Sequence, residues 1–333
     1  MNQTFFTKFK KNRRGYFSFL FLSSLFFFTL LAEFIANDKP LLVRFNGDFY
    51  FPIFHEVSEK NFGGKFETAA DFRDPQVQEL IEKNGWIIFP PIRFSYDTIN
   101  YEIKTPAPSK PSLANLFGTD DQGRDVLARV IYGIRISLIF GLVLTFFSTA
   151  LGIFLGAIQG YFGGLTDLIL QRFMEIWSSM PILFLLIILS SILEPNFFTL
   201  LGLMLLFSWM SIVSYVRAEF LRLRNFDFVR ASKALGASNS RIIFRHILPN
   251  ASPIIIANIP FLLAGSITTL TSLDFLGLGL PIGSPSLGEL LAQGKNNLTA
   301  YWLGIAGFAT ITLILTFLVF IGEAVRDATD TRK

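Results

Sequence analysis

Long apolar runs that are almost free of charged residues constrain this chain more than any other feature of its sequence. A helix that crosses the hydrocarbon core of a membrane needs about 20 consecutive, mostly apolar residues. Runs of this kind lie at about 16–37, 137–158, 173–193, 198–216, 251–270 and 302–322. The sequence therefore predicts an all-α polytopic membrane protein with six transmembrane helices.

Amino-acid composition supports a membrane location and excludes several other classes of protein. Hydrophobic residues make up 51% of the chain and charged residues 16%, against about 25% charged residues in ordinary soluble domains. The formal net charge of +4 does not indicate nucleic-acid binding, because the basic residues cluster at the ends of the apolar runs. Cysteine is absent, which excludes disulfides, thiol chemistry and cysteine-ligated metal sites.

The first apolar run has two interpretations. Basic residues from Lys8 to Arg14 precede it, and a basic head before an apolar core also describes a cleaved signal peptide. The run is long for a signal peptide, and it ends at Glu33 and Asn37 without a small-x-small cleavage pattern. We therefore interpret residues 1–37 as a cytoplasmic N-terminus followed by the first span.

The distribution of basic residues predicts the orientation of the spans. Cytoplasmic loops carry an excess of lysine and arginine, so the basic N-terminus should remain in the cytoplasm. Six spans then return the tail, 326–333, with Arg326, Arg332 and Lys333, to the same side. The loop between the fourth and fifth spans agrees, because its basic residues outnumber its acidic ones. They are Arg217, Arg222, Arg224, Arg230, Lys233, Arg241 and Arg245, against Glu219 and Asp227.

The polar segment 38–132 should then lie outside the membrane. A long segment can be translocated despite its basic residues, because the charge bias governs short loops more strongly. Alternating patches at 86–89 and 99–103, with a helical pattern at 75–83, predict a small exterior α+β subdomain over about 38–104. Three prolines make 105–112 a stiff, extended linker.

The apolar runs lack the groups that other transport or catalytic mechanisms require. Ion-coupled carriers generally place ionisable residues near the membrane midplane, and such residues are nearly absent here. No G-x-x-x-x-G-K-[ST] sequence occurs for nucleotide binding. The two histidines, His55 and His246, lie on opposite sides of the membrane in the predicted topology. We therefore expect no catalytic, metal or cofactor site in this chain, and no enzymatic activity.

The segment Asp227–Asn250 is polar, basic and set between two apolar runs. The Asp227 carboxylate can cap a first helix, and Gly236 suits a left-handed helix end. Ser238 can cap a second helix, which Pro249 should end. We call this two-helix segment the bracket. An ordinary positive-inside loop with well-formed caps is the alternative interpretation.

Residues of the bracket resemble the EAA loop of ABC importer permeases. The resemblance implies a coupling loop over 217–250, which contains the bracket. That motif reads Glu-Ala-Ala, three residues, Gly, nine residues, Ile, one residue, Leu-Pro, and its spacing matches throughout. Arg230, Ser232 and His246 replace the acidic residue, the second alanine and the isoleucine. In that family the loop sits in a groove of the ATPase and couples its closure to span movement. The implied coupling residues are Arg230, Ala231, Ser232, Gly236, Arg241, Arg245, His246, Leu248 and Pro249.

Two further segments resemble the C-type subunit of the dipeptide/oligopeptide branch. Residues 116–138 read LFGTDDQGRDVLARVIYGIRISL and correspond to the segment before the second span, and 274–292 to the exterior segment before the last span. The resemblance makes 133–325 a type I ABC importer transmembrane domain. The motif before the second span comprises Gly118, Thr119, Asp120, Gly123, Arg124 and Asp125. Its role is open between an amphipathic segment at the membrane surface and structural capping.

The exterior segment further resembles the Yej-type permease, which imports microcin C and oligopeptides. The resemblance implies a bacterial inner-membrane subunit that forms half of a permease heterodimer with a homologous B-type permease. Two ATPase subunits would bind ATP and Mg²⁺, and an exterior binding protein would deliver the peptide. Selectivity would then lie mainly in the exterior partner.

Some alternatives remain open at this stage. Gly152, Gly156 and Gly160 recur every four residues, which lets helices approach closely, either within the chain or at a subunit interface. A carrier, ion-coupled or facilitative, is disfavoured by the missing midplane charges. A membrane-anchored receptor or assembly factor would leave the six spans and the bracket unexplained.

Overall fold

The computed structural model describes residues 2–103, 105–190 and 192–329, and it is mainly helical. Arg332 and Lys333 of the predicted tail lie outside the described residues. The α-helices are α1 (Asn2–Lys11), α2 (Arg13–Leu30), α3 (Ala32–Ile35), α4 (Pro75–Asn84), α5 (Val126–Phe162), α6 (Gly164–Ser178), α7 (Ile182–Ser190), α8 (Phe197–Ser208), α9 (Met210–Leu223), α10 (Asp227–Ala234), α11 (Asn239–Arg241), α12 (Leu248–Phe275), α13 (Leu287–Asn296) and α14 (Tyr301–Thr329).

Within the described residues, four stretches of helix are long and apolar enough to cross a membrane: Val126–Phe162, Phe197–Leu223, Asn239–Phe275 and Tyr301–Thr329. Helices α6 and α7, which meet at an angle of 65°, make a fifth if they form one broken span. These helices coincide with the last five predicted runs, so the predicted all-α polytopic fold is confirmed. Helix α2 begins with two arginines and is not among them, so the first span stays a prediction.

The chain divides into two compact units. The first contains the described residues of Met1–Ser23, Ser137–Pro281 and Thr312–Lys333. Within it, α5 packs against α9 through the glycines that recur every four residues. A Cβ atom added to Gly156 would lie 2.8 Å from the Cβ of Val216. Gly152 faces Ile212 and Gly160 faces Phe220 in the same way. Packing within the chain therefore accounts for this glycine repeat.

The second unit contains Ser24–Ile136 and Ile282–Ile311. Strands β1 (Leu42–Phe45), β2 (Asp48–Tyr50) and β3 (Gly85–Ile88) form an antiparallel sheet in the order β2-β1-β3. Helix α4 and the 3₁₀-helix Glu59–Phe62 pack on it, and buried apolar side chains of all these elements form one core.

The predicted helix at 75–83 is confirmed as α4. Asp74 accepts a hydrogen bond from the Gln76 amide, and Pro75 occupies the first turn, where a missing N–H costs nothing. The strand predicted at 86–89 is β3, whereas the strand predicted at 99–103 is wrong. That segment contributes one isolated bridge, between Ile99 and Arg124. The Asn100 side chain accepts from the Glu102 amide and turns the chain away from a ladder.

Candidate functional site

The first half of the bracket is α10, and its C-terminal end is built as predicted. Gly236 has φ +77°, a left-handed conformation that L side chains rarely adopt. The Gly236 amide donates to the Lys233 carbonyl at 2.9 Å and the Ala237 amide to that of Ser232 at 3.1 Å. These two bonds form a Schellman motif. It fixes the direction in which the chain leaves the helix.

The predicted capping role of Asp227 is wrong. Phe226 occupies the capping position with extended backbone, and it makes no side-chain capping hydrogen bond. Asp227 is instead the first residue of α10. A carboxylate there still interacts favourably with the positive end of the helix dipole, so the acidic residue type fits the position.

The second half begins as predicted, since the Ser238 hydroxyl accepts a hydrogen bond from the Arg241 amide. The predicted stop at Leu248-Pro249 is wrong. The π-helix Ile242–Ile247 joins α11 to α12, and Pro249 lies in the first turn of α12. The Leu248 amide donates a hydrogen bond to the Ile243 carbonyl, five residues earlier in the chain. The Asn250 side chain donates to the His246 carbonyl at 2.7 Å. These bonds let the helix run past a proline that lacks an N–H.

The inner face of the bracket is part of the protein core. Val229, Ile242 and Ile247 are fully buried and Ile243 is nearly so. They belong to one cluster with Phe220 of α9 and with residues of α5 and α12. The bracket is therefore packed onto α5, α9 and α12.

Polar contacts add to this packing at the end of α5. The Tyr161 hydroxyl donates to Asn239 Oδ1 at 2.7 Å, and the Lys233 ammonium lies 5.1 Å from the centre of the Tyr161 ring. Arg224 Nη1 donates to the carbonyls of Gly160 and Tyr161, each at 3.4 Å. A cation beside these terminal carbonyls also offsets the helix dipole. One helix end thus contacts both halves of the bracket.

The outer face of the bracket combines exposed apolar side chains with positive charge. Leu235 is 88% exposed and Phe244 is 60% exposed. Arg230, Arg241 and Arg245 are also exposed. Within the part of the chain that the structure describes, none of these three guanidinium groups has a carboxylate at ion-pair distance. Sequence reasoning missed Leu235 and Phe244, although Phe244 lies two positions after buried Ile242, about half a helical turn away, and so lies on the opposite face.

The other predicted coupling residues differ in their exposure to solvent. The Ser232 hydroxyl donates to the Phe228 carbonyl at 2.7 Å. His246 and Leu248 are half-buried, whereas Ala231 and Pro249 are exposed. The structure thus brings all nine predicted residues into one continuous bracket, with the arginines outermost.

The motif before the second span is structural capping, and its interpretation as an amphipathic surface segment is wrong. Thr119, Asp120, Arg124 and Asp125 are almost completely buried. Asp125 Oδ1 accepts from the Ala128 amide at 2.7 Å and so caps the start of α5. The glycines, Gly118 and Gly123, have φ values of +75° and +83° and form the tight turns between these side chains.

A buried ion network surrounds this capping motif. Asp120 Oδ2 lies 2.7 Å from Arg124 Nε and 3.5 Å from Arg129 Nε. Glu289 of α13 accepts from both guanidinium groups, each at 3.1 Å. Arg129 also donates to the Ser284 carbonyl at 2.9 Å. The network thus fixes α13 to the start of α5. Arg129 and Glu289 were not predicted, although both lie in the segments that resemble the C-type subunit.

Burial shifts the acid–base behaviour of two neighbouring carboxyls. It raises the pKa of Asp125, although hydrogen bonds from Ala128 and Asn115 act in the opposite direction. Burial, followed by the negative charge of Asp120, raises the pKa of Asp121 as well. Both shifts mean that folding favours the protonated forms of Asp121 and Asp125 relative to the unfolded chain.

Comparison with known proteins decides between the functional alternatives. Residues 152–333 match the family model of the binding-protein-dependent transport system inner membrane component. The chain is 56% identical over 333 residues to the inner membrane ABC transporter permease protein YejE of Escherichia coli (strain K12), covering 100% of this chain and 98% of the relative. The chain belongs to this family. It is a multi-pass inner-membrane permease of an ABC importer, which disfavours the carrier and receptor interpretations.

Two further relatives and one solved structure are similar to the permease. It is 55% identical to the peptidoglycan transport system permease protein YejE of Agrobacterium fabrum, covering 98% of this chain and 91% of the relative. It is 36% identical to the oligopeptide transport system permease protein OppC of Lactococcus lactis subsp. lactis, covering 66% of this chain and 76% of the relative. The inward-facing methionine ABC transporter MetNI matches 61% of the permease and 97% of its own chain, with a TM-score of 0.51 and 18% identity. This last likeness shows the fold alone.

Proposed function

We propose that this permease forms half of a translocation path for peptides, in a heterodimer with a homologous B-type permease. The names of its relatives include oligopeptide and peptidoglycan transport, and both kinds of cargo contain peptide bonds. Oligopeptides and microcin C-like peptides are therefore the proposed substrates. An exterior binding protein delivers them, which agrees with the family's dependence on such proteins.

The bracket is the proposed coupling site for two ATPase subunits, which bind ATP and Mg²⁺. The observation that carries this proposal is the contrast between its two faces. The inner face is fully packed onto α5, α9 and α12, whereas the outer face exposes Leu235 and Phe244. Exposed apolar patches rimmed by polar groups mark interaction sites. Force applied to this surface would pass directly into the spans.

Charge on the outer face indicates the chemistry of its partner. The exposed guanidinium groups of Arg230, Arg241 and Arg245 fit an acidic groove, because arginine pairs with carboxylates through two parallel hydrogen bonds. In this proposal the bracket and both termini lie in the cytoplasm, and segment 38–132 lies outside. The positive-inside rule supports that orientation.

The test uses the assembled complex in lipid, with its partner permease, both ATPases and peptide-loaded binding protein. We expect peptide-stimulated ATP hydrolysis and uptake in wild type, and loss of both in Gly236→Val with normal membrane insertion. A β-branched residue is strained at the φ of +77° that Gly236 adopts. Gly47→Val is the matched control, because Gly47 also has positive φ, +95°, with open space around it, and lies in the β1–β2 turn.

Two results would contradict this proposal. Stimulated hydrolysis and uptake that persist in Gly236→Val would show that the geometry of the bracket does not couple the subunits. Failure of the wild-type chain to bind any ATPase, while the other subunits assemble, would remove the coupling site altogether.

A further inference from the structure

Two cavities of the first compact unit share one residue, Ser211. The first has a volume of about 310 Å³ and is bounded by α5, α8, α9 and α12. The second has a volume of about 370 Å³ and is bounded by α5, α6 and α9. Because Ser211 lines both, the cavities lie end to end along one side of α9.

Hydroxyl groups line this side of the helix. Ser208, the last residue of α8, and Ser211 and Ser214 of α9 recur every three residues of the helical stretch Phe197–Leu223 and so lie on one face of it. Ser208 Oγ lies 2.7 Å from Ser148 Oγ of α5, and the Ser211 hydroxyl donates to the Ser208 carbonyl at 2.7 Å. Ser211 and Ser214 are exposed in this single chain. At about 1.5 Å per helical residue, the three serines span roughly 9 Å, close to the length of three extended peptide residues.

A buried acceptor without a partner lies in the second cavity. Gln159 is 1% exposed, and its Nε2 donates to Met174 Sδ at 3.3 Å. Its Oε1 has no hydrogen-bond partner among the described residues. A buried acceptor is normally satisfied, so a donor from outside the chain fits this position. Gln159 lies two residues before Tyr161, which contacts the bracket.

The charges around the second cavity are already paired. Arg217 donates two hydrogen bonds to Asp167, at 2.6 Å and 2.7 Å. Glu175 lies 2.5 Å from Arg172. The remaining polar groups are neutral: serine hydroxyls and the side-chain amides of Gln159 and Gln171. Such a lining suits the backbone N–H and C=O groups of a peptide, which are the same whatever its side chains.

We propose that the Ser208–Ser211–Ser214 face and Gln159 form this chain's half of the peptide path. The Ser208 and Ser211 hydroxyls, which already donate to the Met204 and Ser208 carbonyls, accept hydrogen bonds from backbone N–H groups of an extended peptide, and the Ser214 hydroxyl donates to a peptide carbonyl. Gln159 Oε1 accepts from a peptide N–H at the end next to the bracket. This inference rests on the proposed import of peptides and names the residues that contact the cargo.

The test measures uptake of radiolabelled tetra-alanine, which offers only backbone groups and its termini, into proteoliposomes that contain the whole complex. Ser211→Leu, which fills the junction of the two cavities, should lower uptake at least tenfold while stimulated ATP hydrolysis persists. Gln159→Leu should lower uptake severalfold with hydrolysis likewise retained. The control is Ser272→Leu, because Ser272 is exposed on α12, lines neither cavity and donates to the Thr268 carbonyl.

A second measurement separates blockage from misfolding. The chain contains no cysteine, so Ser211→Cys and Ser214→Cys each place a single thiol in it. A small charged thiol reagent should modify both, and tetra-alanine-loaded binding protein with ATP should slow the reaction. A defect in assembly would lower hydrolysis together with uptake and would not create this protection.

The outcomes distinguish this inference from the proposed function. If the wild-type complex does not import tetra-alanine, peptide import fails and the path fails with it. If wild type imports it and the Ser211 and Gln159 variants do so equally well, only the path is wrong. Thiols that stay unmodified, or that peptide does not protect, would also overturn the path.

Discussion

Substitution of one glycine on α5 should destabilise the permease by a predictable amount. A Cβ atom at position 156 would lie 2.8 Å from Val216 Cβ and 3.0 Å from the Val213 carbonyl oxygen. Real carbon contacts lie near 3.5–4.0 Å, and both neighbouring atoms are fixed to helix α9. Gly156→Ala therefore forces α5 and α9 apart by several tenths of an ångström.

The expected loss of stability in Gly156→Ala is the difference between two opposing effects. Overpacking of a tightly packed core costs about 1–3 kcal/mol, while alanine gains about 0.5–1 kcal/mol over glycine in a helix interior. The net loss should be about 1–2 kcal/mol. Gly202→Ala is the matched control, because Gly202 lies inside α8 and a Cβ there meets no atom within 4 Å. That variant should be neutral or more stable than wild type.

Thermal unfolding of the purified chain in detergent micelles, followed by tryptophan fluorescence, checks this prediction. At about 2–4 °C per kcal/mol, Gly156→Ala should lower the melting temperature by several degrees, and Gly202→Ala should leave it unchanged or raise it. If Gly156→Ala melts at or above the wild-type temperature, the close approach of α5 and α9 is refuted.

Three further predictions concern the ion network and the bracket. Asp120→Asn should lower the free energy of unfolding by about 3–5 kcal/mol, because two buried guanidinium groups lose the carboxylate that they share. Asp121→Asn, at an exposed position, should not destabilise the permease. Melting curves of both variants check this. Because burial raises the pKa of Asp125, that carboxyl contributes stability below its ordinary pKa, and the contribution is lost as the pH rises through the raised value. Asp125→Asn, which keeps an oxygen for the Ala128 amide, should therefore gain less stability than wild type on acidification from neutral pH toward the ordinary aspartate pKa of about 4, and equal gains would count against the shift. Arg241→Glu should weaken ATPase binding at low salt by at least tenfold, measured in pull-down titrations. The affinity of the variant should also depend less on salt concentration than that of wild type. Unchanged affinity would exclude Arg241 from the interface.

Sequence reasoning succeeded where the signal is local. The left-handed end at Gly236 and the cap at Ser238 each depend on one residue type within a few positions of a helix end. Helix α4 was predicted from the helical pattern of residues 75–83. Within the described residues, the apolar runs located four helical stretches long enough to span a membrane and the bent pair α6–α7, because length and hydropathy alone define a span.

Contacts between distant residues could not be predicted in this way. Arg129 and Glu289 are separated by 160 positions (289 minus 129), and neither residue type indicates a partner at that distance. The π-helix was missed because one extra residue in a turn leaves no trace in the apolar pattern. Asp227 was predicted as a cap because aspartate suits both the capping position and the first turn, so residue type does not separate the two.

The π-helix Ile242–Ile247 allows the bracket to lose one residue without a change in the orientation of its helices, which an α-helix does not allow. A π turn accommodates one residue more than an α turn, so loss of a single residue there can return the turn to α geometry without rotating the helices on either side. The same deletion within α10 would turn every later side chain by about 100° and expose Val229, which is now buried. Homologous chains that differ in length by one residue at this point can therefore keep the same two faces.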